Sequence, residues 1–230
     1  MSYKIIKPEL KKEVKGVLFD LDGVILDTEK LYNRFWREAL AHMGYEMSFE
    51  EALGLRSLNR VRTTEYLNRL YNTTVDYERA HNLRIELMED YINKNGVELK
   101  KGIIELLDYL NSNNIPCAIT TSSPLPRVRK YLAYHGIENK FNYLCSAHDV
   151  KHGKPAPDIY LYGAKCINVE PSSCIAIEDS KTGMISAFSA HTMSVIVPDL
   201  DEPEEETLDN AFSRADSLLD IIDIIEEINK

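Results

Sequence analysis

From about residue 103 onward, apolar runs of strand length alternate with segments of helical spacing. Ile103, Leu106, Leu107 and Leu110 line one helix face, and residues 115–120 (Ile-Pro-Cys-Ala-Ile-Thr) read as a strand. A helix over 124–135, ended by Gly136, precedes a strand over 141–145. Helices over 157–167 and 181–190 then alternate with strands over 173–177 and 193–197. The apolar run Gly16-Val17-Leu18-Phe19 supplies one strand more, near the N-terminus. Strands that alternate with helices cannot pair as hairpins. They demand an α/β fold, a doubly wound parallel sheet with helices on both faces.

One long segment breaks the alternation. Thr28 can cap a helix on which Leu31, Phe35 and Ala39 recur at helical spacing, and Gly44 is a plausible stop. Ser48-Phe49-Glu50-Glu51 has the capping-box pattern. Helices are then expected over about 58–71 and again from about Asp76, with Ala80, Leu83, Leu87 and Tyr91 on one face. Asn93-Lys94-Asn95-Gly96 reads as the turn out of this region. The expected organisation is a core domain of 1–27 and 94–230 with an inserted α-helical domain of 28–93. A tail helix over 217–229, apolar at Leu218, Ile221, Ile222 and Ile225, closes the fold.

Composition sets outer limits. In 230 residues, 44% hydrophobic content is enough for a sizeable core. No apolar run approaches the roughly 18 residues of a membrane span, and the N-terminus lacks the apolar core of a signal peptide. A soluble cytoplasmic protein is the expectation. The net charge of −10 argues against nucleic acid and anionic membranes as partners. Cys117, Cys145, Cys166 and Cys174 stand far apart without a CxxC pair, so buried reduced thiols are expected rather than zinc. His148 and His152 lie on a turn-rich stretch and read as surface or structural residues.

Chemistry concentrates where strands end, which in an open α/β sheet is where ligands bind. The first strand runs into Asp20-Leu21-Asp22-Gly23, two carboxylates followed by a residue suited to a tight turn. Unpaired charge is costly to bury, so packing does not explain them. A calcium loop begun at Asp20 needs Glu at its twelfth position, which is Leu31. The next strand runs into Thr121-Ser122-Ser123, whose hydroxyls and backbone N–H groups suit phosphate oxygens. Lys154 sits between Gly153 and Pro155, just before a helix. A further strand runs directly into Glu178-Asp179-Ser180, whose two adjacent acids are candidate metal ligands.

A parallel sheet would crowd Asp20, Asp22, Glu178 and Asp179 at one edge. Like charges about 4 Å apart repel by roughly 4 kcal/mol at an effective dielectric near 20. Lys154 and a divalent cation would offset this, and Mg²⁺ suits few protein carboxylates plus phosphate oxygens.

Taken in order, Phe-Asp-Leu-Asp-Gly-Val, an apolar strand ending Thr-Ser-Ser, Gly-Lys-Pro and Glu-Asp-Ser resemble the haloacid dehalogenase (HAD) superfamily of phosphotransferases, over about residues 16–197. The helical insert resembles the subgroup with a small helical cap, which includes β-phosphoglucomutase and many sugar-phosphate phosphatases. The resemblance implies a Rossmann-like core and a Mg²⁺-dependent reaction through an aspartyl-phosphate. It makes Asp20 the nucleophile and Asp22 the general acid and base. Thr121 and the backbone of Ser122 would hold the phosphoryl group, and Lys154 would bridge it to the nucleophile. Asp179, the Asp20 carboxylate and the Asp22 main-chain carbonyl would bind the metal, with Glu178 acting through metal-bound water. Because the dehalogenases lack the second aspartate, Asp22 points to phosphate chemistry.

Within the family, β-phosphoglucomutases resemble Asp-Thr-x-x-x-His after the first motif; here Tyr32 stands at the histidine position. Leu53-Gly54-Leu55-Arg56-Ser57 resembles the cap loop of hexose-phosphate phosphatases, with Arg56 the candidate substrate contact. The expectation is a monomeric phosphatase acting on a small phosphorylated metabolite, a sugar phosphate in first place. A β-phosphoglucomutase-type mutase and a non-catalytic binding protein on the same fold are the alternatives.

Overall fold

A computed structural model describes residues 2–56 and 58–230. The chain divides into two compact units, Met1–Asp27 with Glu98–Lys230, and Thr28–Val97. In chain order the first unit begins with β1 (Tyr3–Ile5) and β2 (Gly16–Phe19). The second holds α1 (Glu29–Ala41), α2 (Phe49–Leu53), α3 (Arg60–Tyr71) and α4 (Tyr77–Asn95). The first unit resumes with α5 (Ile103–Ser112), β3 (Cys117–Thr121), α6 (Leu125–His135), β4 (Tyr143–Ser146) and α7 (Asp158–Cys166). It ends with β5 (Cys174–Glu178), α8 (Lys181–Ser189), β6 (Met193–Ile196), α9 (Glu205–Leu208), β7 (Ser213–Ala215) and α10 (Leu219–Asn229).

The first unit is built on a seven-stranded sheet of order β1-β7-β6-β5-β2-β3-β4. All neighbours are parallel except β1, which pairs antiparallel with β7. The α/β architecture read from the alternation is therefore present, with one reversed strand at an edge. β2, β3 and β5 are buried along their whole length, as strands covered on both faces must be. Leu18, Ala118, Cys145, Ile159, Tyr160 and Ala176 belong to one apolar cluster on this sheet. Each large side chain so buried contributes about 1.5–3 kcal/mol.

Every secondary-structure element among the second unit's described residues is a helix. Trp36, Leu40, Met47, Leu55, Leu67 and Ala80 form its core. Ser48 caps α2 as a full capping box: its hydroxyl accepts from Glu51 N at 3.1 Å and its own N–H donates to Glu51 Oε2 at 2.7 Å. Two local expectations need correction. Thr28, expected to cap α1, lies in the right-handed helical region and makes no side-chain capping bond. Asn93, Lys94 and Asn95, expected in the turn that leaves this region, instead belong to the end of α4, and the helix stops at Gly96. No described helix is long and apolar enough to cross a membrane.

Candidate active site

β5, β2 and β3 lie side by side, with Phe19 level with Ile177 on one flank and Ile119 on the other. The chain winds from β2 out to β3 and β4, then returns to the other flank through β5, β6 and β7. Beyond the carboxyl ends of strands at such a switch point lies a crevice. Asp20 is the first residue past β2, and its N–H donates to Ile177 O at 3.0 Å. Gly23 completes the turn at φ +82°, in the left-handed region.

Lys154, from the loop between β4 and α7, lies at the centre. Its Nζ donates to Asp20 Oδ1 and to Glu178 Oε1, each at 2.5 Å. The lysine side chain is 7% exposed, that of Asp20 11% and that of Glu178 1%. At this burial the charges must be paired, because an isolated one costs several kcal/mol.

Glu178 is saturated from three directions. Its Oε1 also accepts from the Tyr160 hydroxyl at 2.5 Å, and its Oε2 accepts from Ser180 Oγ at 3.2 Å. The same Ser180 hydroxyl caps α8 by accepting from Gly183 N at 3.1 Å. A Cβ on Gly183 would overlap the Glu178 carboxylate, so this turn of α8 takes only glycine without displacing it.

Burial pushes the Asp20 carboxyl up to about 8; Lys154 pulls it down, and Glu178 pushes it up further. Burial works against the charged lysine too, yet Asp20 and Glu178 together hold Lys154 well above the usual lysine range. Lys154 thus keeps its proton, while Asp20 wants more positive charge than one ammonium supplies. Burial, then Glu178, raise Tyr160 well above the ordinary phenol value, so it stays a donor.

Asp22 has a separate setting. Its Oδ2 accepts from Ser123 Oγ at 2.8 Å and its Oδ1 from Arg127 Nη2 at 3.1 Å. Ser123 is itself tied to the end of β3, its N–H donating to Thr121 Oγ1 at 3.0 Å. Thr121 is buried, whereas Ser122 is exposed.

The sequence-predicted residues thus divide. Asp20, Lys154, Glu178 and Asp179 come together at one place. Asp22, Thr121 and Ser123 are joined beside it through hydrogen bonds. Arg56 belongs to the second unit, where its Nε donates to Glu29 Oε2 at 3.1 Å. Ser57, the last residue of the expected cap loop, lies outside the described residues. Sequence reasoning did not single out Tyr160 or Arg127, and it named Ser123 and Ser180 within their motifs without the carboxylate partners they meet. For Tyr160 there was a faint signal, a hydroxyl-bearing aromatic in the first turn of the helix that follows Gly-Lys-Pro. Arg127 carried none, being one basic residue among several on α6.

One carboxylate oxygen from each of Asp20, Glu178 and Asp179 lies within 4.8 Å of the others. An all-oxygen donor set that is short of positive charge fits a hard divalent cation. His152, by contrast, pairs with Asp158 at 3.1 Å.

Residues 17–197 match the family of haloacid dehalogenase-like hydrolases, well over half of the chain. The chain belongs to that family. The match takes in β2 through β6 and both clusters described above. A probable pseudouridine-5'-phosphatase of Drosophila melanogaster is 32% identical over 205 residues, 85% of this chain and 87% of that protein. Hexitol phosphatase B of Escherichia coli strain K12 is 28% identical over 194 residues, covering 81% and 85%. The crystal structure of a β-phosphoglucomutase from Clostridium difficile superposes with a TM-score of 0.72 at 27% identity, covering 94% of this chain and 97% of that one. The fold expected from the haloacid dehalogenase-like motifs is therefore the fold observed.

Proposed function

We propose that the protein is a Mg²⁺-dependent phosphatase that hydrolyses a small phosphomonoester, a sugar phosphate in first place, through an aspartyl-phosphate on Asp20. The observation that carries this reading is the buried Lys154 ammonium, 2.5 Å from both the Asp20 and Glu178 carboxylates. Such a cation, fixed beside a nucleophilic oxygen, suits the charge of a transferring phosphoryl group. The named relatives support it, since two are phosphatases.

Asp20 Oδ attacks phosphorus while the bond to the ester oxygen breaks. Asp22 gives its proton to the departing alkoxide, then takes one from the water that cleaves the aspartyl-phosphate. Lys154 holds the phosphoryl oxygens against Asp20, and the Thr121 hydroxyl and Ser122 N–H bind their other side. Tyr160 and Ser180 share the charge of Glu178, so Lys154 is not drawn wholly to that residue. Asp20, Asp179 and the Asp22 main-chain carbonyl would hold the cation, with Glu178 reaching it through water. When bound, it would neutralise charge on the phosphoryl oxygens. The 28–97 unit is proposed as the cap that sets substrate choice, with Arg56 as a contact.

Tyr32, where the mutases resemble histidine, favours hydrolysis over transfer between substrate oxygens. The test is phosphate release from an aryl phosphate and a panel of sugar phosphates with Mg²⁺. Release that Asp20→Asn abolishes is expected. No release from any ester, with the variant indistinguishable from wild type, overturns the reading. With β-glucose 1-phosphate and a trace of the 1,6-bisphosphate, the reading expects inorganic phosphate without glucose 6-phosphate.

A further inference from the structure

The general acid of the proposed reaction is a short side chain, and its geometry is set from outside its own loop. Around Asp22 the backbone is fixed: Ile25 N and Leu26 N both donate to Leu21 O at 3.0 Å, and Gly23 N donates to Leu26 O at 2.9 Å. Only the side-chain torsions of Asp22 remain, and Ser123 and Arg127 each engage one carboxylate oxygen.

The two partners are themselves held. Ser123 is buried, its N–H bonded to Thr121 Oγ1 and its carbonyl accepting from Ser146 Oγ at 2.8 Å. Arg127 stacks over Tyr131, one turn along α6, with its guanidinium carbon 5.2 Å from the ring centroid, and Tyr131 is buried. The loop that would grip the phosphoryl group therefore also aims the acid.

The two partners also differ in chemistry. A guanidinium only donates, so Oδ1 is an acceptor in every state of Asp22. A serine hydroxyl donates or accepts by rotating, so it serves Oδ2 whether that oxygen carries a proton or not. We infer that Arg127 is a positioning residue that works through Asp22, fixing Oδ1 and leaving Oδ2 as the oxygen that carries the proton. As the phosphorus–oxygen ester bond breaks, the proton passes from Oδ2 to the leaving oxygen. As water attacks the aspartyl-phosphate, a water proton returns to Oδ2 and the Asp20 carboxylate is released.

This rests on the phosphatase reading, and the experiment separates the two. The kcat/KM is measured for an alkyl phosphate, whose leaving group needs a proton, and for an aryl phosphate with an acidic phenol, whose leaving group does not. The proteins are wild type, Arg127→Gln, Arg127→Lys and Ser123→Ala, each also on an Asp22→Asn background, with melting temperatures recorded alongside. Arg127→Gln is expected to lower the alkyl value by about tenfold or more, part of the 10²–10⁴ of general acid catalysis, and the aryl value by less than about threefold. Ser123→Ala should show the same selectivity, Arg127→Lys should recover part of the loss, and the Asp22→Asn background should erase the selective effect. Equal losses on both esters, no loss, or a selective loss that persists without the Asp22 carboxylate would overturn the inference while leaving the phosphatase standing. Wild-type protein that turns over neither ester would remove both.

Discussion

Tyr160→Phe removes one oxygen from a buried network and little else. The ring stays, so no cavity opens beyond a hydroxyl. The hydrogen bond lost is the one to Glu178 Oε1, with both residues wholly buried. A hydrogen bond to a charged group contributes about 1.5–3 kcal/mol, so a loss near 2 kcal/mol is expected. For a chain of this size that is a fall of about 4–8 °C in Tm. The catalytic effect is indirect. With Tyr160 gone, Lys154 becomes the donor that Oε1 depends on, and Nζ is drawn toward Glu178 and away from Asp20. A displacement of about 1 Å in such a site costs up to about 10²-fold, so kcat should fall roughly tenfold or more with KM little changed. Calorimetry together with steady-state phosphate release reads both numbers. A kcat within about twofold of wild type would refute the reasoning that Tyr160 governs how Lys154 divides between the two carboxylates, and an unchanged Tm would refute the account of the hydrogen bond itself.

Other outcomes follow from the same geometry. The Asp20 carboxyl is pushed up to about 8 by burial, whereas the unfolded chain titrates it near 4. The folded, metal-free protein thus binds the extra proton between those values, and the stability from it is lost as pH rises through about 8. The Tm of metal-free wild type should fall more steeply from pH 5 to 8 than that of Asp20→Asn, and parallel curves would contradict this. Gly183→Ala should destabilise by about 1–2 kcal/mol in urea despite the roughly 1 kcal/mol helix-propensity gain, because its Cβ meets the Glu178 carboxylate; a more stable variant would show that Glu178 has room to move. Burial pushes the Cys117 and Cys174 thiols up to about 12 and that of Cys145 higher still. An aromatic disulfide reagent should therefore label Cys166 first in the native protein and all four thiols only after denaturation.

Most of the sheet was legible because β2, β3 and β5 are covered on both faces and must be apolar throughout. Acids directly after such runs stood out because nothing in packing accounts for them, which is how Asp20, Glu178 and Asp179 could be read. The unread strands, β1 and β7, have three residues each and pair across some 210 positions, Tyr3 with Ala215, so no local pattern marks them. Arg127 was invisible, and Tyr160 nearly so, for a related reason. Their roles come from which helix packs over which strand end, and an Arg on α6 or a Tyr on α7 has many equally good solvated or apolar fates. The Thr28 cap failed because a threonine before a helix permits a capping bond without requiring one.

The central claim is that Asp20 accepts the phosphoryl group. Its most direct test mixes the Asp22→Asn protein, slowed in clearing the intermediate, with Mg²⁺ and an aryl phosphate, quenches in acid and maps the peptides by mass. One phosphoryl group on the peptide that contains Asp20, removed by hydroxylamine and missing in Asp20→Asn, is the predicted result. Stoichiometric phenol release with the phosphoryl group on another residue would contradict it.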